Sequence, residues 1–79
     1  MDIVKGRVVK SKAGHDKDTY AVVVDAGLKE ILICDGKHHK LENPKRKNLK
    51  HIVATKKVVE LPQTDKQIRR ILNALTDID

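Results

Sequence analysis

The chain places its apolar side chains in short runs of branched residues, and most runs stop at a charged residue after a few positions. The clearest runs are AVVV at positions 21–24 and ILIC at positions 31–34. Val and Ile carry two heavy atoms on Cβ, which restricts χ1 in a helix and suits the pleated surface of a sheet. Runs of this length between turn residues predict β-strands, so most of the chain should be β.

Five short strands are predicted at spacings of about ten residues. They span residues 6–11, 19–26, 28–35, 37–42 and 49–55, and residues 56–61 either continue the fifth strand or form a separate extended piece. Short strands with turn signals between them indicate a small five-stranded barrel or a pair of packed sheets. A barrel is favoured because closure removes the exposed edges of the sheet.

Asp35 and Gly36 form the strongest turn signal in the chain, because a two-residue type I′ hairpin needs positive φ at both positions. They are predicted to join the third and fourth strands. The fourth strand should end at Asn43-Pro44, since proline restricts the preceding residue and cannot donate a ladder hydrogen bond. Residues 45–50, KRKNLK, are then predicted to be a charged loop.

The period of the apolar pattern changes after Pro62, where a helix is predicted. Thr64 to Gln67 match a capping box, in which the Thr hydroxyl accepts a backbone N–H and the Gln side chain reaches back to the helix start. Apolar residues then recur with the helical period at Ile68, Ile71, Leu72 and Leu75. The predicted organisation is a barrel at residues 1–61 and an amphipathic helix at residues 64–76. So short a helix needs a surface for its apolar stripe, either this barrel or a partner protein.

The basic charge is concentrated in one segment of the chain. The formal net charge is +6, and residues 36–57 alone carry +7, with Glu42 as their single acidic residue. Residues 1–35 balance to zero, and residues 58–79 sum to −1. A surface that serves only solubility mixes both signs. A field of one sign therefore indicates a polyanionic partner, and RNA or DNA is the commonest polyanion in the cell.

Residues 4–24, VKGRVVKSKAGHDKDTYAVVV, read as a strand, a loop around Gly14 and a second strand. This arrangement, with its G-x-V-V opening, resembles the KOW motif of large-subunit ribosomal proteins and transcription elongation factors. Residues 31–52, ILICDGKHHKLENPKRKNLKHI, are similar to small bacterial KOW-containing RNA-binding proteins related to a group of large-subunit ribosomal proteins. The resemblance covers about residues 3–57. It implies an SH3-like barrel that binds ribosomal or other structured RNA and has no catalytic activity. Asp18 departs from the motif, where glycine is frequent, but Asp tolerates a left-handed backbone.

The side chains expected to contact RNA come mainly from the basic segment. The loop around Gly14, in which Asp16 and Asp18 nearly cancel the charge of the lysines, is expected to be a secondary contact. Lysine predominates among them, which favours point-charge contacts with phosphates over bidentate reading of bases. Tyr20 is the single aromatic residue, so structured RNA is a better target than single strands bound by stacking. The candidate RNA-binding residues are Lys12, His15, Lys17, Lys37, His38, His39, Lys40, Lys45, Arg46, Lys47, Lys50, His51, Lys56 and Lys57. Gly14, Asp35 and Gly36 are assigned structural turn roles.

Other classes of function find little support in the sequence. No phosphate-binding glycine loop and no nucleophile with a base at suggestive spacing is present, so we expect no enzymatic activity and no cofactor. His38 and His39 would point to opposite faces of a strand, which disfavours a metal site. No apolar run is long enough to span a membrane, the N-terminus lacks a signal-peptide pattern, and Cys34 has no disulfide partner, so a cytoplasmic protein is expected.

Two alternatives to recognition of structured RNA stay open. One is a protein-interaction module that docks on the transcription or translation machinery or on the ribosome, with the predicted helix as the docking element. The other is a non-specific binder of duplex nucleic acid, which the same lysines would serve through the phosphate backbone.

Overall fold

The structure is a computed structural model and describes residues 3–14 and 17–75. This part of the chain contains five antiparallel strands and one C-terminal α-helix. A short 3-10 helix spans Leu49–His51, and the α-helix, α1, spans Asp65–Asn73. The strands are β1 (Arg7–Ser11), β2 (Tyr20–Ala26), β3 (Glu30–Cys34), β4 (Lys45–Asn48) and β5 (Ile52–Val58). The prediction of a mainly β fold followed by a helix is confirmed.

The strands form one sheet in the order β4-β3-β2-β1-β5, and every neighbouring pair is antiparallel. The register is irregular once between β1 and β5 and once between β2 and β3. Such irregularities bend a strand and increase its twist. At the first of them the buried Thr55 donates its hydroxyl to the carbonyl oxygen of Val8 at 2.7 Å. The pairings leave β4 and β5 at the two edges, so closure into a barrel stays a prediction.

Both faces of the sheet carry apolar side chains. Neighbouring residues of a strand point to opposite faces, so a run of consecutive apolar residues supplies both. On one face Val8, Val22 and Cys34 pack with Ile68 of α1, whose side chain is fully buried. The helix therefore packs on its own sheet. The opposite face carries the larger core cluster, which consists of Val9, Ala21, Val23, Ile31, Ile33 and Ile52.

Thr64 begins the helix in the way the capping pattern predicts. Its hydroxyl oxygen accepts the backbone N–H of Gln67 at 3.1 Å. The side-chain oxygen of Gln67 accepts the backbone N–H of Gln63 at 2.7 Å, one residue earlier than in a standard capping box. Two orphan groups near the helix start are thus satisfied. The helix ends at Asn73 with Ala74 as its C-cap, so it is shorter than the predicted range of 64–76, whose last position lies outside the described residues.

The position predicted for the fourth strand was wrong. Residues 35–44 form a loop, here called the connecting loop, and β4 consists of residues that the sequence predicted to be a charged loop. Lys45 pairs with Ile33, and Lys47 pairs with Ile31. The ladder uses backbone groups, so a strand with no apolar residue can form beside an apolar neighbour. The predicted start of the fifth strand was also wrong, because residues 49–51 form the 3-10 helix.

Asp35 and Gly36 do not form the predicted two-residue hairpin. Gly36 has a φ of 78°, but among the described residues other than glycine only Asp18 has positive φ. A type I′ turn is therefore ruled out at Asp35. Its carboxylate instead accepts three backbone N–H groups at 2.9 to 3.0 Å, those of Lys37, His38 and His39. This bond set explains why an Asp at the end of a strand starts a loop.

The connecting loop is fixed to the first turns of α1. Leu41 donates its backbone N–H to a carboxylate oxygen of Asp65 at 2.8 Å, and Arg69 donates from its guanidinium to the carbonyl oxygen of Gly36 at 2.6 Å. A Cβ on Gly36 would lie 2.6 Å from the backbone oxygen of Asp65. Glycine at this position therefore provides both the left-handed backbone and the close approach of the helix.

Cys34 lies between the sheet and α1 and is fully buried. Burial, and after it the negative charges of Asp65 and Asp35, raises the pKa of the Cys34 thiol to about 11. The thiol therefore stays protonated at neutral pH and behaves as a small apolar side chain of the core.

Asp35→Asn is expected to change how stability depends on pH. Partial burial alone would raise the pKa of Asp35, but hydrogen bonds from His39 and Lys37, the charge of His39 and a hydrogen bond from His38 outweigh it and hold the pKa below the ordinary 3.8. A lowered pKa stabilises the fold above the unfolded-state value, and this contribution is lost as the pH falls through 3.8 towards the folded-state value. The variant should lose about 1 kcal/mol at pH 7 and show a flatter decline in acid. Urea denaturation of both proteins at several pH values measures this, and parallel profiles would contradict it.

Candidate nucleic-acid interface

The loop between β1 and β2, residues 12–19, is a chain reversal closed by backbone hydrogen bonds. Ser11 donates its N–H to the carbonyl oxygen of Thr19 at 2.9 Å, and Asp18 donates its N–H to the carbonyl oxygen of Ser11 at 2.7 Å. Gly14 has a φ of 81° and Asp18 a φ of 68°, so both occupy the left-handed region used in turns. The candidate residue His15 lies outside the described residues.

Lys47 connects this β1–β2 loop to β4. Its ammonium group donates to the carbonyl oxygen of Ala13 at 3.4 Å and is partly buried. It also lies 3.8 Å from the position that a Cβ on Gly14 would occupy. The two sequence features that suggested RNA binding, the glycine loop and the lysine run, are therefore adjacent in the fold. The contact also means that Lys47 supports the loop, a role that the charge pattern did not predict.

The 3-10 helix lies at the same junction. Lys12 donates its backbone N–H to the carbonyl oxygen of His51 at 2.9 Å. The side chain of Asn48 accepts the N–H of Lys50 at 2.9 Å and so begins the 3-10 helix. The exposed basic side chains of these segments come from the β1–β2 loop, from β4 and from the 3-10 helix. We call the following residues the basic surface: Lys12, Lys17, Lys45, Lys47, Lys50 and His51.

The three basic residues of β4 do not lie on the same face of the sheet. Lys45 and Lys47 pair with core residues of β3 and share their side of the sheet, whereas Arg46 pairs with Leu32 on the other side. Arg46 lines an open groove at the β2–β3 turn together with Asp25 and Glu30. These carboxylates weaken the field of Arg46 towards a polyanion. The run that looked continuous in sequence is thus divided, and Arg46 lies apart from the basic surface.

The remaining candidates lie in the connecting loop and on β5. Lys37, His38 and Lys40 are exposed and His39 is half-buried, in a loop whose contacts are with α1. The same loop contains Asp35 and Glu42, so its charge is partly compensated. Lys56 and Lys57 are exposed on the edge strand β5. Among the predicted residues, those at positions 45–50 therefore form the densest basic group, with no acidic residue between them.

Lys10 was missed by the sequence analysis. It pairs with Tyr20 on β2 and with Val53 on β5, and its ammonium group lies 5.7 Å from the centre of the Tyr20 ring. A cation over an aromatic face is attracted by the ring quadrupole. Its charge and its position two residues before the candidate Lys12 are the sequence signals that could have found it.

Residues 3–14 and 17–75 contain neither a cluster of metal ligands nor a membrane-spanning helix. No group of three or more His, Cys, Asp or Glu side chains is placed to hold a metal ion. No helix in this part of the chain is long and apolar enough to cross a membrane.

Comparison with known proteins assigns no family to the chain. No protein-family model matches it, and no curated protein sequence matches it.

Proposed function

We propose that this protein is a non-enzymatic RNA-binding module that attaches to structured RNA, such as ribosomal RNA, through the basic surface. The observation that carries the proposal is the contact between Lys47 and Ala13, which brings the β1–β2 loop and the lysine-rich segment together. Lys12 and Lys17 of the loop, and Lys45 and Lys50 close to Lys47 in the chain, are exposed. The resemblance of residues 3–57 to KOW-containing RNA-binding proteins supports RNA over other polyanions.

The chemistry of the surface suits phosphates. An ammonium group is a point charge that neutralises a phosphate without reading sequence. In the β1–β2 loop itself Asp16 and Asp18 offset Lys12 and Lys17, so the excess of positive charge comes from the basic residues at positions 45–50. One aromatic residue cannot form a stacking platform for a single strand. A folded RNA, whose phosphates are held in fixed positions, is therefore the best match.

The affinity for a structured RNA should depend steeply on salt. Five exposed lysines, at the basic surface and at Lys56 beside it, would neutralise about five phosphates, which gives a slope of log K against log salt of about −4 to −5. A fourfold rise in salt should then weaken binding about 500-fold. Fluorescence anisotropy with a labelled RNA hairpin measures the slope.

The same titration separates the alternatives. A slope near zero would contradict the proposal and favour a protein-interaction module. Competition with random duplex DNA completes the test, because equal affinity for the DNA and the hairpin would identify a non-specific duplex binder.

A further inference from the structure

A groove of about 320 Å³ runs beside the β1–β2 loop, between the end of β1 and the edge strand β5. Its lining combines the apolar Val53, the carboxylate of Asp18 and three lysines, of which Lys12 and Lys56 are exposed and Lys10 is half-buried. Val53 is 47% exposed, and it pairs with Lys10, so the two side chains stand on the same side of the sheet. A groove near the lower limit of ligand-site volumes has room for one small group of about the size of a nucleotide.

We infer that this groove binds one unpaired nucleotide of the RNA, with guanine as its base. The inference rests on the proposed function and adds a preference to it. The positive charges of Lys12 and Lys56 attract the negative charge of a phosphodiester. Asp18 would repel a bare phosphate, but its carboxylate accepts hydrogen bonds from N–H groups of a base. The mixed lining therefore fits a nucleotide better than an inorganic anion.

The preference for guanine follows from the carboxylate. Guanine presents two neighbouring N–H donors on its Watson–Crick edge, N1–H and N2–H, which one carboxylate can accept together. Adenine and uracil each offer a single donor group there. Because pairing uses this edge, the nucleotide has to be unpaired, as in a bulge or a loop.

The backbone holds Asp18 in an uncommon conformation beside the groove. Its φ is 68°, and its N–H donates to the carbonyl oxygen of Ser11 at 2.7 Å. Asn is the other residue with a side chain of this size that tolerates this region. Asp18→Asn therefore removes the charge and one acceptor while it keeps the backbone of the loop.

Binding of the full chain to three RNA hairpins tests the inference: one fully paired, one with a single bulged guanine and one with a bulged adenine in its place. Fluorescence anisotropy at one salt concentration should show the bulged guanine bound about tenfold more tightly than either of the others. Asp18→Asn should abolish the difference between guanine and adenine. Val53→Ser should weaken binding of both bulged hairpins severalfold, whereas Val58→Ser, at a similarly exposed position of the same strand (49%), should not.

The outcomes separate this inference from the proposed function. Equal binding of all three hairpins by the wild type would overturn the nucleotide site and leave the RNA-binding proposal standing. A guanine preference that persists in Asp18→Asn would overturn recognition by the carboxylate. If no hairpin binds, both the inference and the proposed function are wrong.

Discussion

The triple variant Lys12→Glu/Lys45→Glu/Lys50→Glu is expected to bind structured RNA about 1000-fold more weakly than the wild type. All three side chains are exposed on the basic surface. At roughly 0.1 M salt each phosphate contact contributes about 0.9 log unit of affinity through counterion release, so three lost contacts give nearly three orders of magnitude. The slope of log K against log salt should also become shallower by about 3. Anisotropy titrations at several salt concentrations measure both quantities.

A variant with the same net charge provides the control. Lys5→Glu/Lys29→Glu/Lys66→Glu also changes the net charge from +6 to zero, at three exposed positions outside the basic surface. It should weaken binding by no more than about tenfold, through the long-range field alone. Equal losses in the two variants would show that total charge, and not its position, determines binding. Lys47 is left unchanged in both, because its contact with Ala13 gives it a structural role.

Ile68→Ala is expected to be the most destabilising of the substitutions considered, with a loss of about 2 to 5 kcal/mol in the free energy of unfolding. Ile68 is fully buried between α1 and the sheet, where it packs with Val8, Val22 and Cys34. A chain of this length has only a small core, so the loss is a large part of its total stability. The midpoint of thermal unfolding should fall by at least about 10 °C. Urea denaturation and thermal unfolding followed by circular dichroism measure the change.

Leu61→Ala removes the same number of carbon atoms from a position that is 45% exposed. Its expected cost is below about 1 kcal/mol, because little apolar area is returned to water. Similar costs for the two substitutions would mean that α1 does not pack on the sheet in solution. A large cost confined to Ile68→Ala would instead place the helix within the cooperative unit of the fold.

The strands with branched residues were predictable, and β4 was not. Runs such as AVVV and ILIC have a preference of their own for the extended backbone, and their burial on a sheet follows. In β4 the residues are Lys45, Arg46, Lys47 and Asn48, which form a strand because β3 offers backbone partners. Charged residues are also typical of edge strands, where they discourage pairing with other chains. A sequence pattern based on apolar periodicity cannot detect such a strand.

The prediction of a two-residue hairpin at Asp35 and Gly36 was wrong for a related reason. Asp-Gly has two uses, one as a type I′ hairpin and one in which the Asp side chain accepts neighbouring N–H groups. Here the Asp35 side chain accepts the neighbouring N–H groups, because Gly36 must also leave room for the backbone of α1 at Asp65, 29 residues further along the chain. The helix itself was predictable from Thr64 and the spacing of its apolar residues, since both signals are local.

For the candidate site, the sequence showed which segment carries the excess of basic residues, but it did not predict how their side chains are arranged in the fold. The alternation of β4 separates Arg46 from its neighbours, and the contact of Lys47 with Ala13 joins positions 34 residues apart. Neither follows from a count of charges. Lys10 and Val53, which border the groove, became relevant only through the pairing of β1 with β5.

The burial of Cys34 makes the thiol a native probe of local opening. A protonated thiol enclosed between two layers reacts with an alkylating reagent only when the layers separate. In the limit of fast reclosing, its rate of labelling, divided by that of a free thiol, equals the equilibrium constant for that separation. Because Cys34 contacts both Val22 of the sheet and Ile68 of α1 within one cluster, the chain itself reports how often the helix leaves the sheet, with no introduced label.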